Sequence, residues 1–176
     1  MDNKKFYKIL DKVEKPARYV GKEKNSVVKN KDEVEVRFAF AFPDTYEIGM
    51  SHLGLQILYN LINALPHAWC ERVFAPNHDF EELMRKEALK LFSLESRSDI
   101  SEFDFFGFTL QYERSYTNIL NMLNLSDIPY YAKDRDDTHP IIVAGGPCAY
   151  NVEPLVDFVD IVVLGEGEEM NLDVIR

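Results

Sequence analysis

A doubly wound α/β domain, with a mainly parallel five-stranded sheet in the order 2-1-3-4-5, is the fold this sequence predicts. Two observations carry the prediction. Short apolar runs rich in Val, Ile and Phe alternate along the chain with stretches whose apolar residues fall at helical spacing. That rhythm gives right-handed crossovers and a parallel sheet covered on both faces. Three short segments, each containing glycine, lie at the carboxyl ends of strands, where ligands of such sheets sit.

The elements follow in order. Phe6, Ile9, Leu10 and Val13 place a short amphipathic helix over 4–14, which Pro16 ends. Residues 17–32 are polar and basic without periodicity and read as an arm wrapping the domain or reaching a neighbour. The repeating βα pattern begins at Val34, so residues 1–33 are read as a leading helix and arm and residues 34–176 as the α/β domain. Val34–Phe42 reads as a buried strand broken by Pro43 and Asp44. Leu55, Leu58, Ile62 and Leu65 form a helical stripe that Ser51 is placed to cap. Cys70–Phe74 is the second strand, and a helix around Phe80, Leu83 and Met84 opens with Asp79, Glu81 and Glu82, as the helix dipole favours. Leu91–Leu94 is ambiguous and reads as an extra short strand. Asp104–Leu110 is the third main strand, followed by a helix carrying Tyr116, Ile119, Leu120 and Leu123. After the charged loop Lys133–His139 come strands Ile141–Ala144 and Asp160–Leu164 and a last helix.

The 176 residues suit one core, and the 46% hydrophobic and 28% charged composition is that of an ordinary globular protein. A net charge of −10 argues against a nucleic-acid or anionic-membrane surface, both of which select Lys/Arg-rich faces. Cys70 and Cys148 are the two cysteines and form no C-x-x-C, which fits a reducing compartment and offers no zinc or disulfide framework. No apolar run of the roughly 18 residues that span a bilayer occurs. The amino terminus lacks the uninterrupted apolar stretch of a signal peptide. The expectation is a cytoplasmic protein.

The first of the three segments, Asp44-Thr45-Tyr46-Glu47-Ile48-Gly49, reads D-x-Y-x-x-G. Taken alone it is also what a tight βα turn with an aspartate cap would show. Gly107-Phe108-Thr109-Leu110 is the second; Thr109 there can bond a ligand or satisfy its own strand end. In the third, Ala144-Gly145-Gly146-Pro147, paired glycines let a planar ligand pass over the backbone and Pro147 stiffens the exit. Gly165-Glu166-Gly167-Glu168 opens the last helix, where the dipole favours the glutamates without any ligand. His67, His78 and His139 lack metal-ligand spacing, and His52 reads as a partly buried or capping histidine.

Taken in order along one chain, these segments resemble the cobalamin-binding domain of methionine synthase and the related mutases, a Rossmann-like fold. That family has D-x-H-x-x-G at the first segment, where the histidine replaces the lower axial ligand of the cobalt. Tyr46 stands in its place here, so the resemblance implies a corrinoid pocket without a histidine lower ligand. Longer motifs are similar to the leader of an uncharacterised family of cobalamin-binding-domain radical SAM proteins. They are Glu14–Gly21, Phe42–Gly54, Glu71–Pro76, Phe108–Glu113, Gly145–Asn151 and Gly165–Glu168.

What this second resemblance implies is an accessory domain that positions cobalamin, with Asp44, Tyr46, Gly49, Thr109, Leu110, Gly145, Gly146, Pro147 and Glu166 as cofactor-binding positions. Its partner would be a radical SAM barrel of the same full-length protein. S-adenosylmethionine and a 4Fe-4S cluster on a C-x-x-x-C-x-x-C triad would belong to that barrel, because this chain has no such triad. The sheet edge carrying Tyr112, Tyr116 and Tyr150 is expected to be the interface with it. The competing reading is a cofactor-free structural or docking domain that keeps the fold. A receiver domain is excluded because the third strand ends in Thr109-Leu110-Gln111 rather than in a phospho-accepting aspartate. A flavin site is disfavoured because Pro43–Met50 is a poor phosphate loop. No nucleophile–base pair or metal constellation marks a complete enzyme within this chain.

Overall fold

Strand β1 (Val36–Phe42) alternates phenylalanine and alanine, and that alternation divides the molecule into two cores. Phe38, Phe40 and Phe42 point to one face, where they pack with Leu55, Tyr59 and Ile62. Ala39 and Ala41 point to the other face and belong to the larger cluster. In the computed structural model, which describes residues 3–175, β1 is flanked by β2 (Ala68–Phe74) and β3 (Phe105–Thr109). Strands β4 (Ile141–Gly145) and β5 (Ile161–Val163) follow outward, giving the order β2-β1-β3-β4-β5 with every pair parallel. The doubly wound sheet expected from the sequence is the one found. Successive strands are added on one side of β1 and then on the other, so the switch point lies between β1 and β3, at their carboxyl ends.

Helices cover both faces. On the phenylalanine face lie α2 (Tyr46–Ser51), α3 (Leu53–Asn63) and the last helix, α6 (Gly167–Ile175), whose Ile175 is buried in the smaller core. The opposite face receives α1 (Asn3–Leu10), α4 (His78–Lys86) and α5 (Tyr116–Leu125), through Phe6, Ile9, Phe80, Met84, Ile119 and Met122. The β4–β5 connection uses two short helical turns, 147–151 and 153–155, whose Ala149 and Leu155 also join the larger core.

Local differences from the sequence reading have local causes. Helix α1 stops at Leu10, yet Val13 still reaches the core from the turn that follows. Ser51 does not cap α3: it ends α2, its hydroxyl donating to Ile48 O, while His52 caps α3 by accepting from Leu55 N at 3.1 Å. Leu91–Leu94 makes no strand among the described residues, only an antiparallel bridge between Phe92 and Asp99.

That segment and the arm share one task, covering the exposed edge of β2. Leu94 N donates to Arg72 O, Trp69 Nε1 donates to Val27 O, and Lys29 Nζ donates to three carbonyls at the end of α3 and the start of β2. An uncovered edge strand is a template for aggregation, and here six of the seven β2 residues are buried.

Two arginines on this side are buried and paired. Arg37 meets Glu71 at 2.7 Å, and the Glu71 carboxylate also accepts from Ser93 Oγ and Ser96 N. Arg72, whose side chain is 1% exposed, meets Glu95 at 2.7 Å through Nε and gives it a second bond from its backbone N–H. Burial pushes the Glu95 carboxyl up to about 7, against the pull of Arg72. Folding therefore raises the proton affinity of Glu95, and the stability it contributes is full at low pH and lost as pH rises through about 7. The unfolding free energy of the wild type relative to Glu95→Gln should thus fall between about pH 4.5 and 7. Denaturant melts of both proteins across that range check this, and a difference that stays flat or rises contradicts it.

Candidate functional site

Alternate residues of four strands on the phenylalanine face form the floor of a cavity at the carboxyl edge of the sheet. Phe38 and Phe40 come from β1, Gly107 and Thr109 from β3, Val143 and Gly145 from β4, and Val163 from β5. Leu58 of α3 and Asn171 of α6 wall it, and His52, Gln111 and Glu168 also line it. The cavity exists because two floor positions carry no side chain and because helices on this face stand over the sheet's flanks. At Gly107 the absence is enforced, since a Cβ would lie 2.6 Å from the Phe38 ring. The volume is about 180 Å³. A single water needs roughly 10–15 Å³ of such space, so this is a ligand-sized void rather than a packing defect.

Its polar groups are few and oriented. Thr109 Oγ1, buried, accepts from Gln111 Nε2 at 2.6 Å, which leaves the threonine proton free to be donated to a ligand. His52 Nδ1 accepts from Leu55 N, so the imidazole hydrogen sits on Nε2. Asn171 Nδ2 is used on Gly167 O at 2.7 Å, leaving its carbonyl oxygen as an acceptor. Apolar walls with a small number of placed polar groups are what small-molecule and cofactor sites share.

Of the sequence-predicted positions, the structure brings Thr109, Gly145 and Gly146 together in this cavity. The others have different surroundings. Asp44 closes its own turn, accepting from Thr45 N at 2.7 Å, and also accepts from the Tyr112 hydroxyl. The hydrogen bond to the Asp44 carboxylate pushes Tyr112 up to about 12. Tyr46 turns toward the arm, where its hydroxyl donates to Glu23 at 3.0 Å; burial first, then the Glu23 charge, raises it to about 12.

Gly49 lies under Phe74, whose ring a Cβ would strike at 2.3 Å. Leu110 is fully buried in the larger core, its N–H donating to Gly145 O and its carbonyl accepting from Cys148 N. Pro147 opens the turn after β4, and Glu166 caps α6 through its carbonyl, which accepts from Glu169 N and Met170 N. Tyr150 is 77% exposed and Tyr112 36%, but Tyr116 departs from the expected interface: it is buried, with its hydroxyl on the carbonyls of Cys148 and Asn151.

The sequence placed Gly107 in the second segment without a role and did not mark Leu58, Gln111 or Asn171 as wall residues. Gly107 carried a usable signal, because a glycine inside a strand marks a close approach. Among the described residues, no group of three or more His, Cys, Asp or Glu side chains is placed to hold a metal, and no helix is long and apolar enough to cross a membrane.

Fold and site together define an α/β domain with a cavity at the carboxyl edge of its sheet. Residues 54–176 match the family of radical SAM proteins, N-terminal, and the chain belongs to that family. An uncharacterized protein of Methanocaldococcus jannaschii is 28% identical over 143 residues, covering 78% of this chain. The chain spans about a quarter of the length of that relative, 26%. No solved structure matches the chain significantly.

The two glycines of the third loop should respond differently to a methyl group. Gly146 has φ +107° and a Cβ would meet the Leu110 backbone at 3.0 Å, so Gly146→Ala should destabilise by roughly 1–3 kcal/mol. Gly145 has ordinary strand dihedrals and would make only ordinary contacts with Val163, so Gly145→Ala should stay within about 0.5 kcal/mol. Chemical denaturation separates the two; equal losses contradict the assignment.

Proposed function

We propose that this domain is the accessory part of a radical SAM protein that seats a corrinoid, of the cobalamin type, with the cofactor's nucleotide tail in the cavity and no histidine of this chain on the cobalt. The observation that carries the reading is the cavity itself, a void open at the switch point, lined by Thr109, Gly145 and Gly146, with an apolar floor suited to a planar aromatic base. The residues present fit the tail: Phe40 and Val143 offer an apolar floor over which a base would be buried, and the Thr109 proton is available to an acceptor on the ligand. Tyr46, engaged with Glu23, is not offered to a metal. A bound corrinoid would supply a cobalt centre for alkyl transfer or redox chemistry. This chain's part is to hold the tail and orient the ring toward the partner barrel.

That barrel is the proposed home of S-adenosylmethionine and the iron–sulfur cluster, since this chain has two cysteines and the triad needs three. The carboxyl edge is the proposed meeting surface. Exposed Leu53, Tyr112, Tyr150 and Leu164 lie around the cavity side of the sheet. Exposed large apolar side chains following the strands' carboxyl ends are what an interdomain contact would cover.

Incubation with hydroxocobalamin, desalting and a visible spectrum provide the test. The wild type should retain a bound corrinoid, and His52→Ala should leave the bound spectrum unchanged while costing about 1 kcal/mol of stability through the lost cap. Gly145→Val, which projects a side chain into the cavity, should fold and lose the bound cofactor. Failure of the wild type to retain any corrinoid, alone or joined to its barrel, would favour a cofactor-free docking domain.

A further inference from the structure

Helix α2 is six residues long and begins without a side-chain cap. A helix this short has no stability of its own, so tertiary ties decide where it sits. Two consecutive residues of α2 are tied to the arm. Glu47, 45% exposed, pairs with Arg18 at 2.8 Å. Tyr46, with its ring edge-on to Phe74, donates its hydroxyl to Glu23 at 3.0 Å. The second tie is the more enclosed. Glu23 is itself fixed, accepting from Arg72 Nη2 at 3.1 Å and from Ser26 Oγ at 3.0 Å, and the Arg72 guanidinium lies over the Tyr59 ring. Tyr59 in turn accepts from Val27 N at 2.7 Å, and Arg72 Nη1 reaches Met50 Sδ within α2. The far end of α2 is His52, which caps α3 and lines the cavity.

We infer that Tyr46 is a positioning residue: by bonding Glu23 it anchors α2 to the arm and so fixes the His52 wall of the cavity. The arm is then part of the site's frame rather than a detachable leader. The inference concerns the frame alone and does not rest on which ligand the cavity takes. The Tyr46–Glu23 bond is charge-assisted and both its partners are partly buried, whereas the Glu47 end of the Arg18 pair is 45% exposed, so Tyr46–Glu23 rather than Arg18–Glu47 carries the anchoring.

The test is amide hydrogen exchange on the full chain without any ligand, for Tyr46→Phe, Glu23→Gln, their double variant and Glu47→Gln. Tyr46→Phe keeps the ring on Phe74, so the protein should fold. Exchange should quicken at least about tenfold in residues 22–28, in α2 and at the Leu55 amide together, with β4 and α5 unchanged. The double variant should be no faster than the worse single variant, because both act on the same Tyr46–Glu23 bond, which Tyr46→Phe removes and Glu23→Gln strips of its charge. Glu47→Gln should change exchange less than about threefold. Wild-type exchange in Tyr46→Phe, additive effects in the double variant, or a loosened arm with α2 and Leu55 unmoved would each overturn the inference.

Discussion

The guanidinium of Arg72 is the interaction on which most of this domain's arrangement depends. It sits on the edge strand with its side chain 1% exposed, bound to Glu95 on one side and to Glu23 and Ser26 on the other. A buried ion pair contributes little net stability, because desolvation offsets the attraction. What it contributes is specificity. Removing one partner leaves an uncompensated buried charge, at a cost of roughly 3–5 kcal/mol, so no arrangement that separates the arm, residue 95 and β2 competes well. The same pairing closes the sheet edge that the topology would otherwise expose.

At the other end of the logic is an absence. The phenylalanine face of the sheet is filled over β1 and β2 by α3, but Gly107 and Gly145 leave β3 and β4 bare between α3 and α6. The opposite face is packed by α1, α4, α5 and the turns after β4, and the pocket beside its Tyr19 and Phe80 is much smaller, about 20 Å³. The cavity therefore shares its face with the smaller core and lies across the sheet from the larger one. The first loop illustrates the division. Asp44 and Tyr46 are engaged with protein partners, Tyr112 and Glu23, while Thr109 and the paired glycines face the void.

The sheet order and its helices were legible because they rest on local periodicity: the Phe/Ala alternation of β1 and the apolar stripe of α3 are visible in any short window. Third-loop glycines were legible for the same reason, as two adjacent glycines after a buried strand have few other uses. The pairing of Arg72 with Glu95 was not legible, since 23 positions separate them and nothing local marks either as buried. Tyr46 was read at its motif position, but its direction depends on the arm, which has no periodicity to place it. His52 took the capping role that Ser51 was expected to fill because α2 continues through Ser51, moving the α3 boundary by one residue.

The proposed role of the cavity is to receive the nucleotide tail of a corrinoid. Methyl resonances of Leu58, Val143 and Val163, which line it, report occupancy directly. Titration with hydroxocobalamin should shift all three, and titration with cobinamide, which has the corrin ring but no nucleotide tail, should leave them in place. Equal shifts with both, or no shift with hydroxocobalamin, would contradict the placement of the tail in this cavity.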